Sequence, residues 1–279
     1  MKQNLILAGT GKTGRRVATR LTSAGHPVRT AARTGGDVHF DLDDAATWPA
    51  ALDGVTAAYL VEPSLEAGAE YPPRIARLVA AAVDAGVRRL VLLSSPGADV
   101  EGHPLHATDL AVRESGLEWT VLRPNWFSQN FSEDFWLPAI RSGTLAIPAG
   151  QGRVPFIDAE DIAEVAAAAL VEDRHAGQVY DLTGPRAISF GEAVELIAAA
   201  SGRPVRYVDV APEEFRQQQL SYGLSAAAAE RLTGLLVSIS SGGHEELHDG
   251  VERALGRAPR RFEDFVVEAA ASGCWTAAG

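Results

Sequence analysis

Glycines at positions 9, 11 and 14 give the spacing G-x-G-x-x-G. They sit between the apolar run Leu5-Ile6-Leu7-Ala8 and a helical pattern with Val17 and Leu21 on one face. A buried strand, a glycine turn and a helix start, in that order, make a binding site for a dinucleotide pyrophosphate. Gly9 allows the tight turn, Gly11 lets the pyrophosphate approach the backbone, and Gly14 lets helix and strand pack closely. N–H groups at the helix start then face the anion. Thr10, Lys12 and Thr13 complete the expected cradle. Gly11-Lys12-Thr13 also looks like the end of a P-loop. That motif needs a glycine five residues before its Gly-Lys pair, and position 6 is Ile.

The tip of the second strand selects the cofactor. An NAD site carries Asp or Glu there, about 20 residues past the glycines, for the ribose 2′-hydroxyl. Here the strand ends Ala31-Ala32-Arg33-Thr34, without an acid. The planar fork of Arg33 suits a 2′-phosphate. NADPH is therefore the expected cofactor, in preference to NAD. Arg29, inside the strand, is a second candidate for the phosphate, and Asp37 is an acid able to turn back to an NAD ribose.

Several groups are candidates to move a proton or hold a substrate. His103 and His106 precede the helix after the fourth strand, and a histidine titrates near neutrality. The competing reading is a pair of surface loop histidines. Tyr71 is a weaker acid, beside Pro72 and Pro73, and Ser94 and Ser95 offer hydroxyls to a substrate oxygen. Lysine occurs only at Lys2 and Lys12, neither of them four residues after a tyrosine. The Tyr-x-x-x-Lys dyad of ordinary short-chain dehydrogenases is thus absent. Hydride transfer needs only a reduced cofactor aligned with an electrophilic carbon, so an activated acceptor can dispense with a strong acid. His244-Glu245-Glu246-Leu247-His248 fits the H-E-x-x-H zinc motif, with Glu268 as a third ligand. So short a motif arises readily by chance, and no metal is expected.

The elements that position these groups alternate. Strands are expected at residues 27–32, 56–61, 90–94, 119–123 and 178–182, and helices at 74–85, 107–114, 158–171 and 190–200. A further short strand is expected at 205–210. Right-handed crossovers turn such alternation into an α/β, doubly wound parallel sheet of the Rossmann type, with ligands at the carboxyl ends of its strands. Residues 1–125 form the expected dinucleotide-binding core. Residues 126–279 form a smaller, mainly substrate-binding C-terminal lobe, with 156–184 returning a helix and a strand to the sheet.

Composition narrows the class further. A chain of 279 residues buries a substantial core. Its formal charge of −11 argues against a nucleic-acid partner. No apolar run spans a membrane, no secretory signal pattern opens the chain, and the single Cys274 forms no internal disulfide. The expectation is a cytoplasmic enzyme with a small-molecule substrate and an open oligomeric state.

The chain resembles the NmrA-like atypical short-chain dehydrogenase/reductases. It is similar to the branch of ergot-alkaloid (festuclavine and agroclavine) dehydrogenases and their bacterial relatives. The resemblance rests on residues 9–17, on Phe40-Asp41-Leu42-Asp43-Asp44 with Thr47-Trp48, and on Ala58-Tyr59-Leu60-Val61. It continues through residues 86–94, 115–124, 126–131, 177–185 and Ala254-Leu255-Gly256-Arg257. It implies a pyrophosphate on Thr10 to Gly14, a 2′-phosphate on Arg33 and an adenine flanked by Asp41 and Leu42. It also implies ribose and nicotinamide against Leu60, Val61, Glu62, Pro63, Ser94 and Ser95, closed over by Pro124. Trp126, Phe127, Asn130 and Phe131 fall where a substrate pocket is implied. Apolar pocket walls and ordinary core look alike in sequence. The implied activity is NADPH-dependent reduction of a small conjugated or aromatic metabolite (enone, quinone or imine), in the manner of natural-product tailoring. Some NmrA-like proteins instead sense the dinucleotide without redox chemistry, and a redox-neutral isomerase is a third alternative.

Overall fold

The structure is a computed structural model that describes residues 3–62 and 74–276. In chain order, the first half carries β1 (Gln3–Leu7), α1 (Gly14–Ser23), β2 (Val28–Ala32), β3 (Val38–His39), α2 (Trp48–Leu52), β4 (Val55–Val61), α3 (Arg74–Asp84), β5 (Arg89–Leu93), α4 (His106–Arg113) and β6 (Glu118–Pro124). The second half carries α5 (Leu137–Ser142), β7 (Thr144–Ala146), β8 (Arg153–Val154), α6 (Ala159–Val171), β9 (Gln178–Leu182), β10 (Ile188–Ser189), α7 (Phe190–Ser201), β11 (Arg206–Val208), α8 (Pro212–Ser221), α9 (Ala226–Ser240), α10 (Gly250–Leu255) and α11 (Phe262–Ala271). The chain divides into two compact units.

The first unit comprises residues 1–124, 159–182 and 249–257. Its sheet has seven strands in the order β3-β2-β1-β4-β5-β6-β9, every pair parallel. This is the doubly wound α/β sheet expected from the alternation. Strand order reverses between β1 and β4, where the glycine turn lies. The central strands read as apolar runs because helices cover both faces. Leu5, Ile6, Ala58, Leu90, Val91 and Leu92 are all fully buried. Burial of one such large side chain contributes about 1.5–3 kcal/mol. β3 was not expected. Its two residues are too few for any period to show.

α1 is held to α6 by charge as well as packing. Arg16 and Arg20 donate to Glu160, and Arg20 also pairs with Glu164. Arg257, beyond α10, donates to the fully buried Asp161 at 2.7 Å and to Glu164 at 2.8 Å. α10 packs on β9 so closely that a Cβ on Gly250 would lie 2.2 Å from the Asp181 carbonyl oxygen. The return of residues 249–257 to this unit was not foreseen.

Residues 178–182 form the edge strand β9 beside a buried histidine. His175 is fully buried, its Nδ1 2.8 Å from the Tyr180 hydroxyl. Burial, reinforced by Arg174, holds its pKa below the ordinary value, against the pull of Glu172. The unfolded chain then binds the proton more tightly. This contribution to stability is present above about pH 6.5 and is lost as pH falls below it. His103 and His244 are lowered in the same direction. Urea midpoints are expected to fall as pH is lowered from about 7 to 5.5. His175→Gln should flatten that slope while costing stability at neutral pH. An unchanged slope in His175→Gln would assign the acid sensitivity elsewhere.

The second unit comprises residues 125–158, 183–248 and 258–279. Its core is aromatic: Phe131, Trp136, Phe156, Phe190 and Phe262 are all buried. Phe131 contacts the other four rings at centroid distances from 4.7 to 6.1 Å, tilted or edge-on as ring quadrupoles favour. Two small sheets frame this core, β10 with β8 and β11 with β7. α7 begins in a capping box, the Ser189 hydroxyl accepting from the Glu192 N–H while Glu192 accepts from the Ser189 N–H. No helix among the described residues is long and apolar enough to cross a membrane.

Candidate active site

The glycine turn joins β1 to α1 at the carboxyl end of the sheet. Gly11 N–H donates to the Ala8 carbonyl at 2.8 Å, closing the turn. The residue with positive φ is Ala8, at 50°, not Gly9. Gly9 is required by proximity instead, since a Cβ there would lie 2.6 Å from Thr30 Cβ. A Cβ on Gly14 would lie 2.2 Å from the Ala8 oxygen, whereas on Gly11 it would lie 3.1 Å away. The third glycine thus sets the approach of helix to strand, and the second leaves the outer side of the turn open. Ala8 carries strain that a glycine would not. Relief of about 1–2 kcal/mol, less the backbone entropy of a glycine, leaves Ala8→Gly more stable by roughly 0.5–1 kcal/mol. A thermal melt should rise by a few degrees, and a lowered melting temperature would contradict the assignment of strain.

α1 starts at Gly14, and its Arg15 N–H donates to the Gly11 carbonyl of the turn at 3.1 Å. Thr13 precedes it and is nearly buried. The Tyr59 hydroxyl, fully buried in β4, bonds Thr13 Oγ1 at 3.0 Å. Burial pushes that phenol far up, so it stays protonated and donates. Thr10 is exposed. The Lys12 carbonyl accepts from Arg16 Nη1 at 2.7 Å.

At the tip of β2 the three charged candidates separate. Arg29 is engaged, with Nη1 donating to the carbonyls of Ala50, Ala51 and Asp53 at the end of α2. Asp37 is engaged too, its Oδ2 accepting from the Thr30 N–H and hydroxyl, both at 2.8 Å. Those Thr30 bonds, the backbone one foremost, hold its carboxyl below the usual range. Arg33 is exposed, and among the described residues its carbonyl is met by His39 Nδ1 at 3.1 Å. The turn after Arg33 runs beside the glycine turn, since a Cβ on Gly35 would lie 3.4 Å from Thr10 Cγ2.

The segment after β3 is held by its own backbone. The Asp41 carbonyl accepts from Trp48 Nε1 at 2.9 Å, its N–H donates to Thr47 Oγ1, and its Oδ1 accepts from the Asp43 N–H. Leu42 is buried, as are Leu60 and Pro124, and Val61 is half-buried. Glu62 departs from its expected role. Its buried carboxylate forms a short ion pair with Arg74, which also holds Asp43 at 2.9 Å. Its side chain is structural at the end of β4 and not an open cofactor ligand. Pro63 and Tyr71 lie outside the described residues.

The ends of β5 and β6 carry a polar cluster. Arg123, buried at the end of β6, donates to Asp109 at 3.0 Å and pairs with Asp99 at 3.2 Å. Ser94 Oγ lies 3.5 Å from the same Asp109 carboxylate. Ser95 Oγ, half-buried, lies 3.2 Å from His103 Nε2. His103 Nδ1 accepts the Leu105 N–H at 3.1 Å. Burial and the Arg123 charge hold its pKa down, against Asp109 and Asp99. That direction disfavours the charged imidazolium at neutral pH. His106 Nδ1 donates to the Ala98 carbonyl at 3.1 Å.

In the second unit, Trp126 stacks on Trp136 with centroids 5.4 Å apart and planes at 16°. Trp126, Phe127 and Asn130 are half-buried. Phe131 is fully buried and its carbonyl accepts from Trp275 Nε1. It is core and not a substrate contact, a correction that periodicity cannot supply. Gln129 and Arg260 both donate to the buried Asp158, which fastens the loop after residue 125. Residues 245–249 are not helical, so the two histidines of His244-Glu245-Glu246-Leu247-His248 share no helix face. His244 Nε2 pairs with Ser238 Oγ at 2.7 Å, and Glu268 pairs with Arg260. Among the described residues no group of three or more His, Cys, Asp or Glu is placed to hold a metal ion.

The profile of the NmrA-like family matches residues 1–265. An uncharacterized oxidoreductase of Bacillus subtilis is 37% identical over 99% of this chain and 98% of its own length. An NAD(P)H azoreductase of Xenophilus azovorans is 33% identical over 96% of this chain and 98% of its own length. Among solved structures, the NADPH-dependent quinone oxidoreductase of Escherichia coli complexed with NADPH superposes with a TM-score of 0.74 at 23% identity, covering 95% of this chain and 99% of that one.

Proposed function

Because the chain belongs to the NmrA-like family and its similar relatives include an oxidoreductase and an azoreductase, we propose that it is an NADPH-dependent reductase of a small conjugated acceptor: a quinone, an enone or an imine. The observation that carries the cofactor choice is the tip of β2. Arg29 and Asp37 are both engaged there, while the exposed Arg33 lies beside a turn that adjoins Thr10. A guanidinium in that position meets a 2′-phosphate, and no committed acid meets a 2′-hydroxyl. The relative named NAD(P)H azoreductase, alike over nearly its whole length, supports the redox class.

The residues divide the work. The glycine turn and the first turn of α1 hold the pyrophosphate, and Arg33 holds the 2′-phosphate. The bound nicotinamide supplies a hydride. No Tyr-x-x-x-Lys dyad exists, so rate comes chiefly from alignment and from an acceptor already electrophilic. Trp126 and Phe127, half-buried aromatic side chains, supply apolar surface for the acceptor. In steady-state kinetics, Trp126→Ala should lose more turnover than His106→Ala. Removal of a true general acid costs about 10²–10⁴-fold. A loss of that size in His106→Ala, with NADPH binding intact, would make His106 an acid catalyst.

The test is a panel of quinones, enones and imines with NADPH, followed at the nicotinamide absorbance band. Oxidation of NADPH by at least one class is expected. Tight NADPH binding without oxidation by any acceptor would point to the dinucleotide sensor instead.

A further inference from the structure

The end of β5 holds a donor whose direction is fixed from behind. His103 Nδ1 accepts the Leu105 N–H at 3.1 Å, so that nitrogen carries no proton. A neutral imidazole then bears its proton on Nε2, which lies 3.2 Å from Ser95 Oγ. Ser95 Oγ accepts there, and its own O–H must donate elsewhere. Ser95 is half-buried and follows β5, at the carboxyl end of the sheet where such folds bind their ligands.

We propose that the Ser95 hydroxyl is the hydrogen-bond donor to the heteroatom of the acceptor, and that His103 is its positioning residue, giving up no proton itself. This rests on the reductase reading above. The acceptor carbon gains the hydride with its electron pair. The multiple bond opens toward oxygen or nitrogen, which takes the negative charge. The nicotinamide is left oxidised, and water supplies the proton that completes the product. Ser95 stabilises the charge as it forms, which is the role of an oxyanion donor. His103 is unsuited to act as the acid. Protonation of Nδ1 would break the Leu105 bond, and loss of the Nε2 proton would leave an imidazolate.

The groups that bias His103 are Arg123 from β6, Asp109 and His106 from α4, and Asp99 from the preceding loop. Arg123 and His106 oppose protonation, and the two aspartates favour it.

Two measurements on the full chain test this. Nitrogen-15 histidine spectra without cofactor should show His103 as the neutral Nε2–H tautomer between about pH 7 and 8. A doubly protonated His103 at neutral pH would overturn the proposal. Kinetics with NADPH and a benzoquinone supply the second. Ser95→Ala should lower kcat/KM roughly 10²-fold with NADPH affinity unchanged. His103→Phe should do the same, and His103→Gln, which keeps an N–H donor, should recover most of the loss. Across that pH range kcat/KM should stay flat. Full activity in Ser95→Ala, or a rate that falls as a histidine deprotonates, would overturn the proposal and leave the reductase reading standing. Absence of turnover in the unsubstituted chain with every acceptor class would overturn both.

Discussion

Gly14→Val is expected to destabilise the protein by on the order of 3 kcal/mol or more and to abolish NADPH binding. The cause is local. A Cβ at residue 14 would lie 2.2 Å from the Ala8 carbonyl oxygen and 2.8 Å from its carbon, so backbone must move. α1 cannot shift freely, because Arg16 and Arg20 tie it to α6. Gly11→Val makes the informative contrast. Its Cβ would meet the Ala8 oxygen at 3.1 Å, which neighbours can accommodate. Its branch projects where a pyrophosphate approaches. That variant should melt within a few degrees of the unsubstituted chain and still fail to bind NADPH. Thermal unfolding and calorimetric titration of both variants decide the matter. Normal NADPH binding by Gly11→Val would show that this turn is not the dinucleotide site.

Arg33→Ala should remove most of the preference for NADPH over NADH. Loss of a charge-assisted contact to the 2′-phosphate costs on the order of 1.5–3 kcal/mol, roughly 10–150-fold in affinity. NADH affinity should barely change, because NADH presents no phosphate to Arg33. Arg29→Ala tests the alternative. Arg29 holds three carbonyls at the end of α2, so its loss should lower stability and leave the cofactor preference intact. Equal affinity for the two cofactors in the unsubstituted chain would remove the basis of this assignment.

The sheet was legible in the sequence because both of its signals are local. Apolar runs mark strands buried on two faces, and G-x-G-x-x-G marks one turn between one strand and one helix. Six of the seven parallel strands follow from these signals, and only the two-residue β3 does not. What escaped is non-local. Gly9 reads as turn chemistry, whereas its necessity comes from Thr30, at a site set by packing; Gly14, read as the close approach of helix to strand, meets the Ala8 carbonyl as expected. The positive φ at Ala8 leaves no mark in residue type. Glu62 looks like a strand-end ligand until Arg74 is placed against it, and Phe131 looks like a pocket wall until four other rings surround it. Residues 249–257 join the first unit through non-local contacts, among them the tight approach at Gly250, Arg253 over the Tyr180 ring and the Arg257 ion pairs, none of which has a period to detect. His103 and Ser95 were both singled out by position. Their coupling, and which of them faces a substrate, depends on the Leu105 N–H.

The most direct measurement is isotopic. NADPH carrying deuterium at nicotinamide C4 is incubated with the protein and a quinone, an enone or an imine, and the product is examined by mass spectrometry. Enzymatic reduction by hydride transfer predicts deuterium bonded to product carbon for an enone or imine, or rapid deuterium-sensitive oxidation of NADPH where a quinone product exchanges the label. Protein that binds NADPH tightly yet transfers no deuterium and oxidises none of the cofactor, with all three acceptor classes, would contradict a reductase.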